Sequence, residues 1–239
     1  MTSSRIAENI VRIRERIAQA ARRAGRNPDE IELMAVTKTV SAEHIREAYE
    51  AGVRLFGENR VQEFEGKATA LRTLDEARFH MIGHLQRNKV ARAVDLFGSI
   101  ESIDSWRLAA ALNQYAAERS RLFPALLEIN VGEEEQKTGH APDSPELERI
   151  LLGALQLGNL NIEGLMTVPP YAEDPQDGRP YFRKLHEIRD QIAKRNLPRV
   201  NMGVLSMGMS HDFEVAIEEG ATRVRLGSAI FGERLPLTL

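Results

Sequence analysis

The feature that most constrains this chain is the alternation of eight short apolar runs with segments of helical spacing. The runs lie at Ile31–Thr37, Val53–Gly57, Phe79–Ile82, Phe97–Glu101, Pro124–Val131, Ile162–Val168, Val200–Leu205 and Thr222–Leu226. Strands apolar on both faces belong to parallel sheets covered by helices. Eight such units predict a closed (β/α)8 TIM barrel, one α/β domain over residues 1–239. The alternative is an open doubly wound sheet, which needs a reversal of strand order that the sequence does not display. No charge block, low-complexity segment or linker divides the chain.

The helical segments carry start and stop signals. Ile6, Ile10, Ile13, Ile17 and Ala21 recur at helical spacing and Gly25 follows, so a helix precedes the first strand. Ser41, Asn59 (with Gln62 completing a capping box), Asp104 and Ser144 before Pro145 read as N-caps. After the eighth strand only Ala229–Leu239 remains, too short for a full helix and its loops. The N-terminal helix is therefore expected to complete the outer layer beside strand one.

Composition narrows the function. A net charge of -3 gives no electrostatic case for nucleic acid or an anionic membrane. The absence of cysteine excludes disulfides, thiol nucleophiles and thiolate-bound metals. No run approaches the ~18 apolar residues of a membrane span. The N-terminus lacks a signal-peptide core and carries Glu8 and Glu15. A cytoplasmic location is the expectation.

Barrel chemistry sits at the C-terminal ends of the strands, and those ends form a polar ring. Arginine far outnumbers lysine, yet Lys38 ends strand one, on the side of Met34 and Val36. It either turns out to solvent or, among apolar walls and beside another cation, becomes a nucleophile for carbonyls. Leu205-Ser-Met-Gly-Met-Ser210 and Arg225-Leu-Gly-Ser228 each place glycine and serine after a strand. They are two tight turns, or together a phosphate site of the kind barrels build after strands seven and eight. Arg223 and Arg225 should face inward; a buried guanidinium needs a partner, with Glu128 or Glu163 expected for Arg223 and a ligand for Arg225. An arginine facing a pyridine nitrogen keeps it unprotonated and weakens the ring as an electron sink. His80 and His84 lie on a strand and its loop, so they do not make a helical metal pair, and no metal is expected. Glu133–Glu135 and Lys137 read as a solvated loop, His211 as a helix start, Trp106 as packing.

The matching segments Ala35-Val-Thr-Lys38, Phe56-Gly-Glu-Asn-Arg-Val-Gln-Glu63, His80-Met-Ile-Gly-His-Leu-Gln-Arg-Asn-Lys89, Glu128-Ile-Asn-Val, Gly164-Leu-Met166, Leu205–Ser210 and Val224–Gly232 span nearly the whole chain. In them the chain resembles the pyridoxal phosphate homeostasis proteins, a family similar to the barrel domain of alanine racemase, also with a helix before strand one. The resemblance implies pyridoxal 5'-phosphate as cofactor and Lys38 as the residue forming the internal aldimine. It implies Ser206, Gly227 and Ser228 at the phosphate, Arg225 at the pyridine nitrogen, and Asn59, His84 and Met166 lining the cofactor. It also implies a carrier that buffers the cofactor, with apo-enzymes as recipients and effects on amino-acid and keto-acid balance, and no assigned catalytic residue. Alanine racemase adds a β-rich domain that brings a tyrosine and a dimer contact; here the sequence stops at Leu239, so a monomer is expected. Tyr171 could reach the mouth. A weak amino-acid racemase, or a cofactor-free Schiff-base aldolase, are the alternatives.

Overall fold

In the computed structural model, which describes residues 4–134 and 136–232, the apolar runs are the staves of a closed parallel barrel in chain order. The strands are β1 Glu32–Val36, β2 Leu55–Glu58, β3 Arg78–Met81, β4 Ser99–Ile103, β5 Phe123–Glu128, β6 Leu160–Met166, β7 Val200–Ser206 and β8 Arg223–Leu226. The helices are α1 Arg5–Arg23, α2 Ala42–Glu50, α3 Val61–Leu71, α4 Val90–Leu96, α5 Trp106–Glu118, α6 Pro145–Leu152, α7 Arg179–Ala193, α8 Phe213–Glu218 and α9 Ser228–Phe231. Pairing of β1 with both β2 and β8 closes the sheet and rules out the open alternative.

The N-terminal helix takes the expected place. Ile6, Ile10, Ile13, Ile17, Ala20 and Ala21 of α1 are buried, and α1 packs against α2, α8 and α9. Ser4 caps it, accepting from Ala7 N at 3.2 Å. Arg16 pairs with Glu214 at 2.6 Å and Arg23 with Glu218 at 2.9 Å. Asn9 Nδ2 donates to Ile230 O at 2.8 Å, and Arg26 Nη1 to Ile217 O and Ala221 O at 2.9 and 2.8 Å. Exposed ion pairs contribute little; the isoleucine stripe supplies the attachment and the polar contacts set its register. The last residues, 233–239, lie outside the described ones, as does Glu135.

Two expected caps differ. Ser105 caps α5, accepting from Leu108 N at 3.3 Å, while Asp104 turns away to His84 at 3.0 Å. Helix α3 starts one residue late for Asn59: Arg60 holds the cap position without a side-chain cap bond. The acidic loop keeps its solvent exposure at Glu133, and its charges are paired, Lys184 with Glu133 and Lys137 with Glu134, both at 2.5 Å. Trp106 packs, its ring lying under the Arg149 guanidinium at 4.9 Å.

The barrel interior is charged. Arg223 finds neither Glu128 nor Glu163. Its Nε donates to Glu32 Oε2 at 2.8 Å and its Nη1 to Glu101 Oε1 at 2.5 Å. The reason is register, because Glu32 lies directly opposite Arg223 across the β1–β8 seam. Glu163 instead accepts from Asn161, and Glu128 from Thr138.

Ile10 is 1% exposed and Val11 57%. Replacing Ile10 by alanine should cost about 2–4 kcal/mol of unfolding free energy, and Val11→Ala under about 0.5 kcal/mol. Urea denaturation of the two variants checks this; equal losses would mean that α1 is not docked as described.

Candidate functional site

Lys38 stands between two residues that are tightly held. Thr37 donates from N to Gly57 O at 2.9 Å and from Oγ1 to Glu58 Oε1 at 2.7 Å. Lys67 on α3 gathers the same region, donating Nζ to Thr37 O, Glu58 Oε1 and Glu63 Oε1 at 2.9, 2.8 and 3.0 Å. On the far side Thr39 adopts φ 63°, an outlier for a β-branched residue, and its N–H donates to Glu63 Oε1 at 2.5 Å. Strain of this kind persists where surrounding contacts over-determine it, and it clusters at functional sites. Burial raises the Glu58 carboxyl above its ordinary value, against the pull of Lys67.

Lys38 is half-buried and borders a cavity of about 720 Å³ at the C-terminal rim, a size usual for small-molecule sites. Val36, Ile82 and Val168 form apolar wall, and Tyr171, 79% exposed, stands at the opening. The Tyr171 and His211 rings lie 5.8 Å apart there.

On the β7–β8 side, next to β1, the cavity is polar. Ser210 Oγ accepts from both Gly227 N and Ala229 N at 3.2 Å. These amides open α9, and paired N–H groups at a helix start are natural donors to an anion. Gly208, at φ 90°, makes the turn that brings Ser210 there; a Cβ on it would sit 2.6 Å from that of Ala216. Arg225 also borders the cavity, 4% exposed, donating Nη1 to Ser206 Oγ at 3.0 Å and Nη2 to Thr167 O at 2.7 Å. Burial lowers its basicity, opposed by the charges of Glu101 and Asp212. Asn59 Oδ1 is buried without a hydrogen-bond partner, an acceptor left for a ligand to satisfy. The chain after β3 presses on it, since a Cβ on Gly83 would meet Asn59 O at 2.5 Å. An amine, an orphaned acceptor, a guanidinium and an amide–hydroxyl cluster around one cavity fit an aromatic aldehyde bearing a phosphate.

The barrel thus brings together Lys38, Asn59, Arg225, Gly227 and Ser228. Three expected residues lie elsewhere. Ser206 is fully buried beneath the cavity, because β7 is staggered so that Ser206 lies level with Arg223, the first residue of β8. Met166 pairs with Ser206 and is buried at the same depth. His84 is exposed, turned to Asp104, and lines two neighbouring hollows instead. Lys67 escaped the sequence reading, Ser210 lay in the candidate phosphate segment without being singled out, and His211, read as a helix start, borders the cavity. For Ser210 the signal was Gly208, since the serine beyond the turn glycine, not the one before it, reaches the rim. For Lys67 it was its spacing of four from Glu63.

Residues 8–235 match the family model described as alanine racemase, N-terminal domain. The chain is 47% identical over 227 residues to the pyridoxal phosphate homeostasis protein of Aquifex aeolicus, covering 95% of this chain and 97% of that one. It is similar to the structure of PipY of Synechococcus elongatus PCC7942 with PLP bound, at 35% identity and a TM-score of 0.82, covering 95% of this chain and 100% of that one. An alanine racemase from Streptomyces coelicolor A3(2), 19% identical with a TM-score of 0.69, aligns 57% of its chain with 96% of this one and shares the fold.

Below the cavity, burial would raise the Glu101 carboxyl, but Arg223, His80 and Ser206 outweigh it and hold it at about 2 against an ordinary 4.5. A group lowered on folding stabilises above its unfolded value and loses that contribution as pH falls towards the folded one. Glu101 should therefore contribute about 3 kcal/mol at neutral pH, lost as pH falls from 4.5 towards 2. Acid titration of stability for wild type and Glu101→Gln checks this; identical acid limbs would refute the assignment.

Proposed function

Because the chain belongs to the family of pyridoxal phosphate homeostasis proteins, we propose that it binds pyridoxal 5'-phosphate at the barrel rim and keeps it available in the cytoplasm rather than turning over amino acids. The observation that carries this reading is that Lys38 and the Ser210, Gly227 and Ser228 cluster border one cavity. In this reading Lys38 holds the aldehyde as a Schiff base. The Gly227 and Ala229 amides, with the hydroxyls of Ser210 and Ser228, hold the phosphate. Arg225 serves the ring nitrogen and Asn59 Oδ1 accepts from a ligand donor.

When bound, the cofactor supplies an electrophilic aldehyde and an electron-withdrawing ring. What this chain does with it follows from its own groups. Arg225 has only N–H donors to offer, so a nitrogen facing it stays unprotonated and the ring is a weaker electron sink. The acid–base candidates at the opening, Tyr171 and His211, both stand exposed, where water competes for every proton they would move. A site that holds the aldehyde and leaves its approach open suits storage and hand-over, with PLP-dependent apo-enzymes as recipients. Weak racemisation is the second reading, favoured by the position of Tyr171 and His211 beside the cavity.

Borohydride treatment of the protein loaded with pyridoxal 5'-phosphate should fix the label to the peptide carrying Lys38. Lys38→Ala should lose covalent capture and keep a weakened, phosphate-dependent binding. Label on another lysine, or none, would sink the reading. Turnover of L-alanine well above that of free cofactor would favour the racemase.

A further inference from the structure

A directed chain of hydrogen bonds runs beneath the cavity. Ser206 Oγ lies 2.6 Å from Glu101 Oε2 and 3.0 Å from Arg225 Nη1. A guanidinium only donates and an ionised carboxylate only accepts. The hydroxyl has one proton, and between these neighbours it has one use: it goes to Glu101, and the oxygen accepts from Arg225. Glu101 is held as the carboxylate by Arg223 Nη1 at 2.5 Å and by His80 Nδ1 at 2.8 Å on its other oxygen. Glu101 and Ser206 are fully buried, so water does not reset the direction.

The chain fixes Arg225 at two points. Nη1 is committed to Ser206 and Nη2 has one N–H committed to Thr167 O at 2.7 Å. The guanidinium is planar, so two fixed points orient the whole group, and the remaining N–H groups are what a ligand can meet. Among the described residues Arg225 forms no ion pair of its own; Ser206 relays to it the charge of Glu101, which lies within its field.

We propose that Glu101 and Ser206 are positioning residues that, through Arg225, make the cavity selective for an aromatic ligand with an unprotonated acceptor nitrogen. This rests on the reading of the cavity as a pyridine-phosphate site, and it moves Ser206 from the phosphate to the nitrogen end of that site. A hydrogen bond weakens steeply when its angle is lost, so the preference depends on the two residues that aim the donor.

Equilibrium binding of pyridoxine 5'-phosphate and its 1-deaza analogue, in which C–H replaces the ring nitrogen, tests this. Neither ligand has an aldehyde, so Lys38 takes no covalent part. The wild-type protein should prefer the nitrogen ligand by roughly 10–100-fold, the usual worth of a hydrogen bond to a charged group. Ser206→Ala keeps the Glu101–Arg223 pair and should fold; its preference should fall to about threefold or less, a loss of most of that one bond. Ser206→Thr restores the hydroxyl and should restore the preference. Glu101→Gln, where it folds, should act like Ser206→Ala. A preference unchanged in Ser206→Ala, both ligands weakened equally, or no preference in the wild type would each overturn the inference. If the wild type discriminates while borohydride fixes nothing at Lys38, the proposed function fails and this inference stands.

Discussion

The seam between β8 and β1 is the constraint on which the site depends. It pairs Glu32 with Arg223 and Met34 with Arg225, joining residues 191 apart in the chain. Closing so long a loop is tolerable because the entropic cost grows only logarithmically, about 0.6 kcal/mol per doubling. Once closed, the seam sets Lys38, four residues beyond Met34, on the same rim as the turn that follows Leu226. Two features hold the seam besides its backbone bonds. Glu32 is shared between Arg78 and Arg223 at 2.5 and 2.6 Å, and α1 spans the outside from α2 to α8 and α9. The helix that precedes the barrel is thus part of what brings the two halves of the cavity together.

Most of the architecture was legible because it is written in local patterns. Eight apolar runs gave eight strands in order, with ends displaced by a few residues, and the isoleucine spacing gave α1 its buried face. What was not legible depends on register between strands distant in sequence. Nothing in Leu205–Ser210 says that Ser206 is level with Arg223 and not with Arg225, so the wrong serine was placed at the rim. Met166 sank with it. The cap signals failed where a polar side chain had another use: Asn59 faces the cavity and Asp104 meets His84. The arginines were correctly expected inside, but the partners of Arg223 came from β1 and β4, whose charges carry no local sign of facing inward.

The interior network is hard to justify as a source of stability. Replacing a buried ion pair by well-packed apolar residues is often neutral or stabilising, whereas removing one partner is costly. Glu101, Arg223, Arg225 and His80 occupy space that leucine and valine would fill in an ordinary barrel. If Arg225 alone were needed at the cavity, its burial would still require a nearby negative charge. Glu101 supplies it, and Arg223 and His80 satisfy what remains of that carboxylate. The set is then explained from one end: a guanidinium wanted at the rim recruits the rest.

The two halves of the cavity are held by separate means. The residues on either side of Lys38, Thr37 and Thr39, are held by the Lys67–Glu58–Glu63 cluster on β2 and α3, and Arg225 by Ser206 and Thr167 at the ends of β7 and β6. A ligand that touches both joins parts whose named contacts differ. Its retention need not rest on the covalent bond alone, because the amide–hydroxyl cluster at α9 and the guanidinium stay in place when the amine lets go. On the proposed reading, those standing contacts allow a cofactor to be released by exchange at Lys38 without unfolding the rest of its site.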